Sequence, residues 1–248
     1  MKHVDLCSGI GGFALGFEWA ELSKPILFCD VEPWCRKVLA KHWPGVSIAA
    51  DVKELANDPI RNVPDCDILT AGYPCQPFSL AGQRRGQEDD RHIWPYILRI
   101  VAQKRPAWCV FENVYGHISL GLDKVLSDLE AESYATRTFV VPACAVDAPH
   151  RRDRVWIISR NVADTNGPHQ QGGGVPSGVH TQYSNFNSGS HNIRGKATQF
   201  WLPEPAVGRV AHGIPRRVDR LRGLGNAIVP EIAMRIGQTI KSINGKQA

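Results

Sequence analysis

Two short segments carry the residue types best suited to covalent chemistry. Gly72-Tyr73-Pro74-Cys75-Gln76-Pro77-Phe78-Ser79 places a cysteine just past Cys66–Ala71, a β-rich run that reads as a strand. In an open α/β sheet, the carboxyl end of a strand is where ligands are held. A cysteine there stands at the mouth of the sheet, although most cysteines are simply packed thiols. Phe111-Glu112-Asn113-Val114 adds weight to the chemical reading. It closes the next strand run, Trp108–Glu112, and brings a carboxylate within reach of the same crevice.

A second set of residues suits a nucleoside-type ligand. Asp5-Leu6-Cys7-Ser8-Gly9-Ile10-Gly11-Gly12-Phe13 reads as a strand, a glycine-rich turn and the start of a helix. Glycines let a ligand approach the backbone at the positive end of that helix. Asp30 ends the next strand run, about 20 residues on, where nucleotide-binding sheets place a carboxylate for ribose hydroxyls. Asp51 follows the third run in the same way. A nicotinamide cofactor fits this much equally well.

The elements that must position these groups alternate in the first 160 residues, as an α/β parallel sheet does. Strands are expected at His3–Cys7, Ile26–Cys29, Val46–Ala49, Cys66–Ala71, Trp108–Glu112, Arg137–Val141 and Arg154–Ser159. Leu122, Val125, Leu126 and Leu129 recur at helical spacing, as do Trp34, Val38 and Leu39. From about Asn161 to Thr198 the chain is rich in Gly, Ser, Asn, Gln and His and reads as a long loop or a minimal lobe. A last helix is expected from Val229 to Ile240, with Val229, Ile232, Ala233, Ile236 and Ile240 on one face.

Composition bounds these readings. A chain of 248 residues can bury one substantial core, and 43% hydrophobic with 21% charged residues is ordinary for a globular protein. No apolar run is long enough to span a bilayer. Asp5, the glycines, Glu18 and Glu21 argue against a signal peptide near the first residue. Seven cysteines without a Cys-x-x-Cys pair suggest neither a disulfide framework nor a zinc site. The net charge of +5 is uneven. Residues 151–248 hold 14 Lys and Arg against 5 Asp and Glu, whereas residues 1–150 hold 15 against 19. A solvated basic surface and a phosphate-binding one both fit that asymmetry.

Taken in order, Asp-Leu-x-x-Gly-x-Gly-Gly, Pro-Cys-Gln-Pro-Phe-Ser, Glu-Asn-Val, Arg-Arg-Asp-Arg-Val and Gly-Asn-Ala-Ile-Val-Pro resemble the DNA cytosine-5 methyltransferase family, in a short phage or bacterial form. The resemblance covers nearly the whole chain outside residues 161–200. It implies a Rossmann-like S-adenosylmethionine-dependent α/β sheet with a small, mostly irregular target-recognition segment. The catalytic and cofactor-binding domain would span residues 1–160, the recognition segment 161–208, and a segment packing back on the catalytic domain 209–248.

The resemblance also implies a mechanism. The thiolate of Cys75 attacks carbon 6 of a flipped-out cytosine. Glu112 offsets the charge developing at ring nitrogen 3, a role that needs a raised carboxyl pKa. Carbon 5 then takes the methyl group of S-adenosylmethionine, and loss of the carbon 5 proton expels Cys75. By the same resemblance Arg152 and Arg154 serve the catalytic centre, with Arg154 reaching the cytosine and its flanking phosphate. Cys7, Gly9, Ile10, Gly11, Gly12, Asp30, Val31, Asp51, Val52, Pro74, Asn226 and Ala227 would line the cofactor. Gln76, Ser79, Arg84, Arg85, Arg91, Arg194 and Lys196 would contact DNA, with Gln76 to Arg91 closing over the flipped base. Gln170, Gln171, Asn185 and Asn187 are candidates for reading base edges.

Two positions depart from the pattern. Cys7 stands where the family usually has a phenylalanine facing the adenine, and His150 replaces a glutamine of the arginine motif. The expected protein is a cytoplasmic monomer acting on double-stranded DNA, without a membrane or an obligate protein partner. A tRNA cytosine methyltransferase is the nearest rival, and a catalytically silent DNA-binding relative is another. A thiol-redox or nicotinamide enzyme is remote.

Overall fold

A computed structural model describes residues 1–74, 93–162 and 226–245. The chain begins with β1 (Lys2–Leu6), α1 (Gly12–Trp19), β2 (Lys24–Cys29), α2 (Pro33–His42) and β3 (Ser47–Ala49). Two short helices, α3 (Val52–Asn57) and α4 (Pro59–Asn62), lead to β4 (Ile68–Ala71). Next come α5 (Trp94–Lys104), β5 (Trp108–Val114), α6 (His117–Leu120) and α7 (Leu122–Ala131). β6 (Tyr134–Pro142), a 3-10 turn at Ala143–Val146, β7 (Asp153–Asn161) and α8 (Pro230–Gly245) complete the described elements. No helix among the described residues is long and apolar enough to cross a membrane.

The seven strands form one sheet in the order β3-β2-β1-β4-β5-β7-β6. β1 to β5 run parallel to one another. β7 is antiparallel to both β5 and β6, so the sheet is mixed and not parallel throughout as the strand–helix alternation suggested. The linker from β6 to β7 accounts for the difference: one 3-10 turn and a few residues are too short for a parallel crossover. From β1 the chain winds outward to β2 and β3, then returns to β4 and β5 on the other side. The carboxyl ends of β1 and β4 therefore flank the switch point, where such sheets open a ligand crevice.

Alternating residues of the central strands feed two layers. On one face Val4, Leu6, Leu69, Ala71, Phe111, Val155 and Ile157 pack under α3, α5 and α7. On the other, Ile68, Trp108, Val110 and Trp156 meet Phe13 and Phe17 of α1 and Ile232, Ala233 and Ile240 of α8. The α1–α8 contact is close because small residues line it. A Cβ on Gly16 would lie 2.6 Å from that of Ala233, and one on Gly237 would lie 2.9 Å from that of Ala20.

Most expected elements recur with shifted ends. β1 stops at Leu6, because Cys7 turns into the left-handed region (φ 50°). β4 starts at Ile68 and leaves Cys66 outside it. α8 begins at Pro230, whose fixed φ suits the first turn, and runs five residues past Ile240. The buried stripe of α2 is Cys35 and Leu39, not Trp34, since the helix turns Trp34 partly outward. The expected recognition segment, except its first residues, lies outside the described residues.

Candidate active site

The glycine turn is built by hydrogen bonds across β1 and β2. Ser8 Oγ donates to Asp5 O at 2.5 Å and accepts from Cys29 N at 3.2 Å, while Ser8 N donates to Cys29 O at 3.0 Å. This fastens the turn to the end of β2, where Asp30 follows. Asp30 is nearly buried, and its two oxygens accept Gly9 N at 2.7 Å and Glu32 N at 2.9 Å. Burial raises the Asp30 pKa, and the two backbone donors pull it back. Arg36 holds the following backbone by donating to Asp30 O and Val31 O, each at 2.8 Å.

These residues fit a nucleoside cofactor. Gly9 has φ 54°, and a Cβ there would meet nothing within 4 Å, so the turn faces open space. Each Asp30 oxygen accepts one backbone N–H and retains a lone pair for a ribose hydroxyl. Gly11 and Gly12 are buried, Ile10 is half-buried, and Val31 is exposed. Asp51 is committed in part to structure, since its Oδ1 caps α3 by accepting Lys53 N at 2.8 Å. Val52 beside it is buried in the core. Cys7 is half-buried, with its thiol pKa raised well above the ordinary value by burial and by nearby acidic groups.

The second half of the crevice lies at the ends of β4, β5 and β7. Glu112 pairs with Trp156 across β5 and β7 and is 7% exposed. Its Oε1 receives Arg154 Nε at 2.8 Å. Its Oε2 lies beside Gly72, where a Cβ would come within 3.8 Å of that oxygen. Burial pushes the Glu112 pKa up to about 7, against the pull of Arg154 and Arg152. An ordinary carboxyl would be ionised at neutrality; this one is poised between its two forms.

The returning chain closes this corner. Ile228 packs on Gly12, where a Cβ would lie 2.7 Å from the Ile228 Cβ, and on Gly72. Arg152, in the left-handed region at φ 39°, donates from Nη2 to Ala227 O at 2.9 Å. The structure thus brings Glu112, Arg152, Arg154, Gly72 and Ala227 to one corner, with Gly9 and Asp30 at the other side of the switch point. Pro74 and Asn226 are exposed. Cys75, Gln76, Ser79, Arg84, Arg85, Arg91, Gln170, Gln171, Asn185, Asn187, Arg194 and Lys196 lie outside the described residues.

Sequence reading passed over a buried polar row beneath the turn. His3, Asp5 and Thr70 are fully buried. Thr70 Oγ1 lies 2.8 Å from His3 Nε2 and donates to Asp5 Oδ1 at 2.6 Å. Burial pushes the Asp5 pKa up to about 8 and that of His3 down to about 3. The row therefore holds its acid and its base uncharged near neutrality. The signal was present as polar residues at alternate positions of an otherwise apolar strand, His3-Val4-Asp5-Leu6. Tyr73 and His117 were also missed; their 3.1 Å contact joins elements far apart in sequence.

Solved structures share this fold. A Spodoptera frugiperda DNMT2 mutant aligns with TM-score 0.57 and 20% identity, over 72% of this chain and 56% of that one. The S. pombe Dnmt2 methyltransferase aligns with TM-score 0.57 and 22% identity, over 64% and 50%. Residues 1–194 match the family described as C-5 cytosine-specific DNA methylase, and the chain belongs to that family. It is 36% identical over 175 residues to the type II methyltransferase M2.BsuMI of Bacillus subtilis, covering 66% of this chain and 43% of that protein. It is 32% identical over 163 residues to M.NlaX of Neisseria lactamica, covering 63% and 51%. The chain thus spans about half the length of these curated relatives.

Proposed function

We propose that this protein transfers a methyl group from S-adenosylmethionine to carbon 5 of cytosine in double-stranded DNA. Family membership and the type II relatives support the substrate. The observation that carries the chemistry is Glu112, a buried carboxyl with a pKa of about 7 in the corner beside Gly72. Cys75 follows three residues after Gly72 in the chain.

In this reading the Cys75 thiolate adds to carbon 6 of a cytosine rotated out of the duplex. Protonated Glu112 shares its proton with ring nitrogen 3 and so offsets the charge that develops there. Arg154 holds the Glu112 carboxyl in place and takes the flanking phosphate, while Arg152 braces the Ala227 backbone. S-adenosylmethionine, when bound, supplies a methyl group on a positively charged sulfur. Gly9 to Gly12 would admit its methionine part, Asp30 would accept its ribose hydroxyls, and Asp51 and Val52 would flank its adenine. After carbon 5 is methylated, its proton leaves and the Cys75–carbon 6 bond breaks. Residues 1–160 carry this chemistry, 161–208 choose the target, and 209–248 return to the catalytic domain.

DNA carrying 5-fluorocytosine tests the proposal, because fluorine stands where a proton must leave. The wild-type protein should form a cofactor-dependent covalent adduct and Cys75→Ala should form none. An adduct with Cys75→Ala would remove the cysteine from its assigned role.

A further inference from the structure

The three glycines after β1 do different work. A Cβ on Gly9 would meet nothing within 4 Å, so that side of the turn is the open one. On Gly12 it would strike Ile228 of the returning chain at 2.7 Å. On Gly11, in the left-handed region at φ 87°, it would lie 2.5 Å from Trp43 Cζ3, 2.6 Å from Trp43 Cη2 and 3.1 Å from Leu39 Cδ2. The turn is therefore backed on two sides, and the far edge of an indole forms one of the backings.

Trp43 reaches the turn from the β2–β3 crossover. It caps α2, where its backbone N–H donates to Leu39 O at 2.8 Å, and its carbonyl accepts Val46 N at 3.2 Å ahead of β3. The half-buried ring packs on Phe28 of β2 at 5.2 Å between ring centres and lies 6.1 Å from the ring of His42. Its Nε1 donates to Glu18 Oε1 at 2.8 Å. Gly11 and Glu18 are seven residues apart and so share a face of α1, and helical side chains lean toward the N-terminus. The exposed Glu18 carboxylate thus leans back toward the turn and fixes the indole along the helix. Filling space would need no directional bond to an exposed side chain. The contact also has a path to the open side: Gly11 N donates to Ser8 O at 2.9 Å, closing the turn around Gly9, whose N–H Asp30 holds at 2.7 Å.

We propose that Trp43 is a positioning residue for S-adenosylmethionine, with Glu18 holding its indole against Gly11 so that Gly9 and Asp30 keep the geometry the cofactor needs. The role rests on the reading above that Gly9 to Gly12 admit the cofactor. Both side chains act through the turn and not by contact with the ligand. Without the indole the cofactor must order the turn as it binds. That cost appears in affinity and not in the rate of the bound complex.

Calorimetric titration of the full chain with S-adenosylmethionine tests the role, since it reads affinity and binding stoichiometry separately. Trp43→Phe keeps a ring for Phe28 but is too short to reach Gly11 and has no N–H. It should raise the cofactor Kd about tenfold, the size of one net hydrogen bond together with a lost ring contact. Glu18→Ala removes only the acceptor, on an exposed side chain, and should raise the Kd about threefold. Glu18→Gln keeps an acceptor oxygen and should stay within about twofold of wild type. Single-turnover methyl transfer at saturating cofactor and DNA should stay within about twofold in all three variants. A part that merely supports folding would lower the stoichiometry and leave the Kd unmoved, and that result would overturn the role. Equal losses in Glu18→Gln and Glu18→Ala would overturn it too, as would a slower saturated rate with an unchanged Kd. A wild-type protein that binds no S-adenosylmethionine would overturn the proposed reaction and this role together; equal Kd values in a binding wild type and Trp43→Phe would overturn this role alone.

Discussion

Glu112 combines two features that usually exclude each other, a 2.8 Å contact with an arginine and a carboxyl that keeps its proton near neutrality. Burial decides the outcome, because removing water penalises the charged form by more than Arg154 and Arg152 recover. If the protonated carboxyl is the form that serves the cytosine ring, methyl transfer should decline as pH rises through about 7. Glu112→Gln should lower the rate by roughly a hundredfold or more, the usual share of an acid–base group, and abolish that decline. Single-turnover rates between pH 6 and 9 measure both effects. A glutamine variant with near-normal turnover and the same falling limb would take Glu112 out of the reaction.

At the scale of elements, the site depends on how β1 and β4 are joined beneath it. The His3–Thr70–Asp5 row places polar groups under α1, inside a layer otherwise filled by Phe13, Phe17 and Ile68. Asp5 has a folded pKa of about 8, raised from 3.8, so the fold favours its protonated form. Its contribution to stability is complete below the unfolded value and is lost as pH rises through 8. His3 runs the other way: its folded value of about 3 makes stability complete above 6.5 and lost as pH falls toward 3. Glu112 adds a loss between about 4.5 and 7. Between pH 7 and 8 Asp5 gives the steepest loss of these three, with a slope of up to about 1.4 kcal/mol per pH unit, while Glu112 completes its own titration. Asp5→Asn cannot ionise and still offers Thr70 an oxygen. Calorimetric unfolding should show a falling Tm from pH 7 to 8 in wild type and a flatter one in Asp5→Asn. Parallel curves would show that Asp5 is not the titrating group.

Over the whole molecule, charge and chemistry occupy different lengths of chain. The acidic first part, residues 1–150, holds six of the seven strands and most of the crevice, while the basic excess lies in residues 151–248. A protein that grips DNA through those arginines should lose affinity steeply with added salt. The proposed reading segment of 161–208 is short, which limits it to about two to four base pairs, each contributing roughly 1–3 kcal/mol of discrimination. Replacing residues 168–192 with a Gly-Ser linker should relax or abolish site choice and leave cofactor binding intact. Methylation mapping provides the check, since an unchanged target at an unchanged rate would place recognition elsewhere.

The sequence by itself determined the kinds of element, their order and the chemical identity of the groups. Strand runs such as Trp108–Glu112 and the glycine turn after β1 are local signals, written in neighbouring residues. It could not decide that β7 inserts antiparallel between β5 and β6, because strand pairing depends on residues far apart in the chain. Nor could it show that Asp30 accepts the Gly9 amide, that Ala227 is held by Arg152, or that Tyr73 meets His117. The same limit applies to electrostatics. Glu112 and Asp5 carry ordinary carboxyls in the sequence, and only the layers packed over them remove the water that would otherwise keep them charged.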